Sequence, residues 1–91
     1  MNTKTLTDTE LEIKLTKGWA IILYNDNINT FEHVINCLMK YCKHNSLQAE
    51  QCASIVHFNG KTDIKRGDVD ELKPVYEALQ DNNLKVKLEP I

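Results

Sequence analysis

Glycine and proline are both scarce in this chain, three and two residues out of 91. Gly18, Gly60 and Gly67 stand far apart, so there is no glycine-rich loop to cradle a phosphate. An excess of one charge is also missing. Eleven basic residues interleave with thirteen acidic ones for a net charge of -2, which argues against a nucleic-acid surface. No apolar run approaches the roughly 20 residues that span a bilayer. The start MNTKTLTDTE lacks the apolar stretch of a leader, so a cytoplasmic location and no membrane partner are expected.

Cysteine is limited to Cys37, Cys42 and Cys52, an odd set within helical segments, so reduced thiols are expected. The pairs Cys37/Cys42 and Cys52/His57 are each five residues apart. On a helix that spacing turns about 500°, which leaves the two members facing different ways. A metal site would want CxxC or an i, i+4 pair, so neither a metal nor a cofactor is expected. No nucleophile elbow or oxyanion-hole motif accompanies the thiols or His57, and the chain does not read as an enzyme. Arg66-Gly67-Asp68 reads as a turn.

What is present is a single small domain. Leu11, Ile13 and Leu15 alternate with charged residues in ELEIKL, the pattern of a half-buried strand. WAIILY, Trp19–Tyr24, is a continuous apolar run with the look of a central strand. After a polar loop, Asn29 and Glu32 have the spacing of a capping box, so a helix is expected from near Thr30, with Phe31, Val34, Ile35, Leu38 and Cys42 on its apolar face. Lys40, Lys43 and His44 lie near its end, and Asn45 terminates it. Ser46 then caps a second helix with a stripe of Ala49, Cys52, Ala53 and Val56, running to the Asn59-Gly60 turn.

A short strand over 61–64 and a polar connection over 65–70 come next. They lead to a third helix with Leu72, Val75, Tyr76 and Leu79 inward. Pro74 predicts that this helix starts no earlier than about Asp70 or has a distorted first turn. Asn82-Asn83 closes it, and LKVKL alternates as a last strand with Leu84, Val86 and Leu88 on one face.

The loop NDNINTFEHV, followed 23 residues after Val34 by His57 within IVHFNGK, resembles the ClpS family, adaptors of Clp AAA+ proteases that recognise N-degrons. The family pattern is an Asn-Asp-Asp loop, Thr-Pro-Met-Glu at the helix start, and Val-His before a glycine-containing turn. Asn25, Asp26, Glu32, Val34, Val56, His57 and Gly60 match it. The likeness continues through VDELK and the closing KLE, over roughly residues 18–90. It implies an α+β fold: a small three-stranded antiparallel sheet with three helices packed on one face, in the order βααβαβ. Residues 18–91 would form the core, and residues 1–17 a flexible extension used in substrate delivery.

The resemblance also implies roles. Asn25, Asp26 and a neutral His57 would accept the three N–H donors of a substrate's α-ammonium group, with Asn27 and Asn29 in the adjacent loop. Phe31, Val34, Ala53, Val56 and Leu84 would line a pocket for an N-terminal Leu, Phe, Tyr or Trp side chain. Asp68 and Lys73 would dock the N-terminal domain of a Clp-family AAA+ unfoldase. The protein would act as a monomer.

Five positions depart from the pattern: Asn27 replaces a second aspartate, Asn29-Thr30 replaces Thr-Pro, and Phe31 and Ala53 stand where methionines are usual. A reshaped pocket is expected. On their own residue types, Asn25, Asp26 and Asn27 suit a turn equally well. A domain of similar architecture that docks only a partner protein, like the C-terminal domain of the bacterial ribosomal stalk, is therefore the alternative.

Overall fold

The computed structural model describes residues 18–91. The expected strand pattern at Leu11, Ile13 and Leu15 and the extension over residues 1–17 lie outside the described residues. The order is β1 (Trp19–Tyr24), α1 (Phe31–Tyr41), α2 (Ser46–Asn59), β2 (Lys61–Gly67), α3 (Val69–Asp81) and β3 (Val86–Pro90). β1, the apolar run, is the central strand of an antiparallel sheet ordered β2-β1-β3.

Period-two alternation sorts the strand residues by face. Ile21 pairs with Leu88 and Leu23 with Val86, so these four side chains share one face of the sheet. A bulge in the β2 pairing carries the register from Ile21↔Lys65 to Ile22↔Asp63, and Ile64 is buried there. Leu38 of α1, Ala49 and Val56 of α2, and Leu72 and Leu79 of α3 complete the core with Ile21 and Leu23. Leu38, Leu72 and Leu79 are fully enclosed. Truncating any of them to alanine would cost about 2–5 kcal/mol.

Helix boundaries differ from the sequence expectation where short polar side chains compete for the same cap. Thr30, not Asn29, caps α1: its Oγ1 accepts from His33 N at 3.1 Å. Asn45, not Ser46, caps α2, accepting from Gln48 N at 2.8 Å. α1 stops at Tyr41, because Lys43 turns to φ 59° and leaves His44 outside the helix. His44 is buried there, its Nε2 2.9 Å from Ile64 O.

β2 continues to Gly67, absorbing the first half of the expected connection. α3 starts at Val69, one residue before the expected limit, with Pro74 inside it. Leu84 precedes β3 rather than belonging to it.

Gly60 ends α2 at φ 91°, a left-handed position where a side chain would be strained, and its N–H returns to Val56 O. That cap swings the chain directly into β2. It also leaves Gly60 O to accept from Asn25 N at 2.8 Å, which fastens the start of the polar loop to the end of α2. That bond holds the last turn of α2, which carries His57, against the start of the loop that carries Asn25 and Asp26.

Candidate functional site

The loop between β1 and α1 is built around one carboxylate. Asp26 Oδ1 accepts from Ile28 N at 2.9 Å and Asn29 N at 2.7 Å, an Asx-type turn, while Oδ2 accepts from Asn29 Nδ2 at 2.7 Å. The Asn29 side chain donates a second bond to Asn83 O at 2.8 Å. Asn83 follows α3 in the left-handed conformation that asparagine tolerates. One side chain thus pins the loop to the far end of the third helix. His33 of α1 adds a tie to the same turn after α3, its Nε2 2.9 Å from Asn82 O.

Partial burial pushes the Asp26 carboxyl up. The Asn29 and Ile28 N–H groups, the Asn29 side chain and the Lys85 charge outweigh it and hold the group below its ordinary 3.8. Asp26 is therefore an anion at neutral pH, beside the N-terminus of α1. With two donors on Oδ1 and one on Oδ2, an acceptor position of Oδ2 remains open.

A cavity of about 320 Å³ opens against this loop. Its polar lining is Asn25, Asp26, Asn27, Asn29 and His57, and its apolar lining is Leu23, Tyr24, Phe31, Val34, Ala53 and Val56. Leu23, Ala53 and Val56 are buried and form the floor, whereas Phe31 and His57 are exposed at the rim. The Asn25 and His57 side chains make no hydrogen bond to another described residue. Asn25, Asp26 and His57 thus meet at one cavity, the first and last with side chains free of hydrogen bonds to described residues and Asp26 with a single bond on Oδ2.

The chain matches the family model described as ATP-dependent Clp protease adaptor protein ClpS over residues 14–88. It belongs to the ClpS family. Among curated ClpS adapter proteins, that of Thermosynechococcus vestitus is 34% identical over 63 residues, covering 68% of this chain and 67% of the relative. That of Synechocystis sp. is 29% identical over 72 residues, covering 78% and 74%. Among solved structures, Agrobacterium tumefaciens ClpS2 bound to L-phenylalaninamide superposes with a TM-score of 0.76 at 18% identity, over 84% of this chain and 99% of that one. At that identity the superposition establishes the shared α+β fold.

ClpS proteins are adaptors of the Clp protease rather than a catalytic family. Among the described residues there is no cluster of three or more metal-ligating side chains, and Cys37, Cys42 and Cys52 are free. No helix of the described residues is long and apolar enough to cross a membrane.

Nine residues singled out in the sequence meet at the cavity: Asn25, Asp26, Asn27, Asn29, Phe31, Val34, Ala53, Val56 and His57. Leu84 is not among its lining residues. It packs into the hydrophobic core, because the strand it was assigned to begins two residues later. Leu23 and Tyr24 were missed as lining residues, and the signal for them was their position at the end of an apolar strand that runs straight into the polar loop.

Asp68 and Lys73 lie elsewhere, around the first turns of α3. Asp68 is the N-cap residue, and its backbone carbonyl accepts from Glu71 N at 3.1 Å and Leu72 N at 3.0 Å. Its side chain makes no capping bond, and Oδ1 is buried with no hydrogen-bond partner. Lys73 is exposed.

Proposed function

We propose that this ClpS-family adaptor binds proteins by a free N-terminal α-amino group and a bulky first side chain, and hands them to a Clp-family AAA+ unfoldase. The observation that carries this reading is the meeting of Asn25, Asp26 and His57, three residues able to accept and one of them anionic, at a cavity whose other lining is apolar. An α-ammonium has three donors to match three acceptors. The negative charge of Asp26 opposes the positive end of α1, which would otherwise repel a cation.

Relatives support the reading. The A. tumefaciens ClpS2 structure holds L-phenylalaninamide, a molecule with a free α-amino group and an aromatic side chain. Burying a Leu or Phe side chain contributes about 1.5–3 kcal/mol, and each charge-assisted hydrogen bond a similar amount. After the cost of association, micromolar binding of a single terminal residue, near 8 kcal/mol, is within reach.

Asn25, Asp26 and His57 hold the amine in this reading. Phe31, Val34, Ala53 and Val56, joined by Leu23, receive a Leu, Phe, Tyr or Trp side chain. Asp68 and Lys73 supply an acid and a base at the start of α3 for the N-terminal domain of the unfoldase, separate from the substrate cavity. Residues 1–17 serve in delivery.

The test is a titration of fluorescent peptides beginning with Leu, Phe, Tyr, Trp or Lys, alongside an N-acetylated Leu peptide. Leu and the aromatic residues should bind and the acetylated and Lys peptides should not. Equal binding of the acetylated form would sink the reading and leave a domain that docks only a partner protein.

A further inference from the structure

Seven large apolar side chains among the described residues are exposed, and the two most exposed each adjoin, along the chain, residues that line the cavity. Ile28 is 88% exposed and Phe58 is 82% exposed. Ile28 sits between Asn27 and Asn29, and Phe58 follows His57; those three neighbours line the cavity, whereas Ile28 and Phe58 do not. Apolar residues scattered singly over a surface need no explanation. These two stand on the loop and the helix that both contribute lining residues to the cavity.

The Phe58 ring meets the His57 imidazole edge-on, with centroids 5.0 Å apart at 78°. Phe31, which does line the cavity, meets the same imidazole at 6.4 Å and 88°. The imidazole is thus shared by an aromatic ring of the cavity and an aromatic ring outside it. On the proposed reading, a peptide whose amine lies against Asn25, Asp26 and His57 has its next residue close to the imidazole and so to the ring that packs on it.

Successive side chains of an extended peptide point to opposite sides. With the first directed to the floor of Leu23, Ala53 and Val56, the second is directed away from it, over the rim. We infer that Phe58 and Ile28 form an apolar subsite for the second residue, so that the adaptor selects N-termini in which a bulky first residue is followed by an apolar or aromatic one. This rests on the proposed function of the cavity and adds a second position to it.

The experiment uses the full chain and free-amine Leu-X peptides identical after X, with X as Phe, Ile, Ser or Gln, all uncharged so that the Asp26 charge does not enter. Phe and Ile should bind about fivefold tighter than Ser and Gln, the scale of one aromatic contact. The ratio should fall below about twofold in Phe58→Ser and be largely retained in Phe58→Leu. Ile28→Ser should reduce it as well.

Free-amine peptides that bind over their acetylated forms but show no dependence on X would overturn this inference and leave the proposed function standing. A dependence on X that survives unchanged in both serine variants would also overturn it. Acetylated Leu-Phe binding as well as free Leu-Phe would overturn both, because the rim would then be an apolar patch indifferent to the amine.

Discussion

Asn29 holds Asp26 twice, through its backbone N–H to Oδ1 at 2.7 Å and through its side-chain Nδ2 to Oδ2 at 2.7 Å. The same side chain reaches Asn83 O, so the orientation of the carboxylate depends on one amide that spans two loops. Asn29→Ala should leave the fold intact and weaken binding of a Leu-initiated peptide about tenfold, the worth of one charge-assisted bond and its positioning. Asn29→Asp should be worse than alanine, since it sets a second carboxylate against Asp26 and against a carbonyl. Anisotropy titrations read both, and an alanine variant with unchanged affinity would show that the clamp does not position the acceptor.

Acid titration should expose the same contacts as stability. Asp26 has a folded-state pKa below its ordinary 3.8. Its contribution is therefore present above that value and is lost as pH falls through the lower, folded one. Asp26→Ala should cost on the order of 1 kcal/mol at neutral pH. Urea midpoints of the two proteins should converge on acidification below about pH 4. A constant gap down to the acid limit would mean that the carboxylate charge is not what the donors hold.

Much of the fold was legible because its signals were periodic or terminal. WAIILY reads as a central strand from its continuous apolar run, and of the i, i+3, i+4, i+7 set Val34, Ile35 and Leu38 pack on the core while Phe31 is exposed at the cavity rim. The gathering of Asn25 and His57 at one cavity was expected only through the resemblance, since nothing in their spacing says that the Gly60 cap will draw the two together.

What was misread lay where several short polar side chains compete. Asn29, Thr30, Asn45 and Ser46 are all competent caps, and tertiary partners decide among them: Asn83 O claims Asn29 and frees Thr30 for the helix. Leu84 alternated with Val86, but alternation does not say where pairing starts. Leu84 N bonds instead to Leu79 O, in the turn that closes α3.

The Cys42 thiol offers an alkaline test of the core. Burial pushes it up to about 11 from 9.0, with the neighbouring Cys52 and Cys37 adding to the rise and Lys65 opposing it. The stability it contributes is complete below the unfolded value and is lost as pH rises through the folded one. Unfolding midpoints should therefore decline between about pH 9 and 11, less steeply in Cys42→Val. Alkylation of the native protein should reach the half-buried Cys52 before the buried Cys42. Modification of Cys42 first would contradict its burial.

Pro74 is the sixth residue of α3, where an N–H would donate to the carbonyl of Asp70. Proline has no such donor and its ring crowds that carbonyl, yet the helix forms because Leu72 and Leu79 are fully buried on its inner face. Pro74 itself is exposed, so replacing it disturbs no packing. Pro74→Ala should raise stability by about 2 kcal/mol, the helix penalty less the entropy regained by the unfolded chain. A loss of stability in chemical denaturation would show that the ring does more than interrupt the ladder.

Ala53 sets the size of the cavity floor, being 3% exposed and flanked in the lining by Val56 and Val34. A longer side chain there would extend into the 320 Å³ space that the proposed function assigns to the substrate's first residue. Ala53→Met should therefore shift selectivity rather than abolish binding: affinity for Trp- and Phe-initiated peptides should fall about tenfold or more, and for Leu-initiated peptides by less than about threefold. Because methionine is unbranched and flexible, it can fold back enough to leave room for the smaller side chain. Measured as a Trp-to-Leu ratio, the result does not depend on the amount of active protein. An unchanged ratio would place the side chain of the bound residue away from α2 and would remove Ala53 from the site.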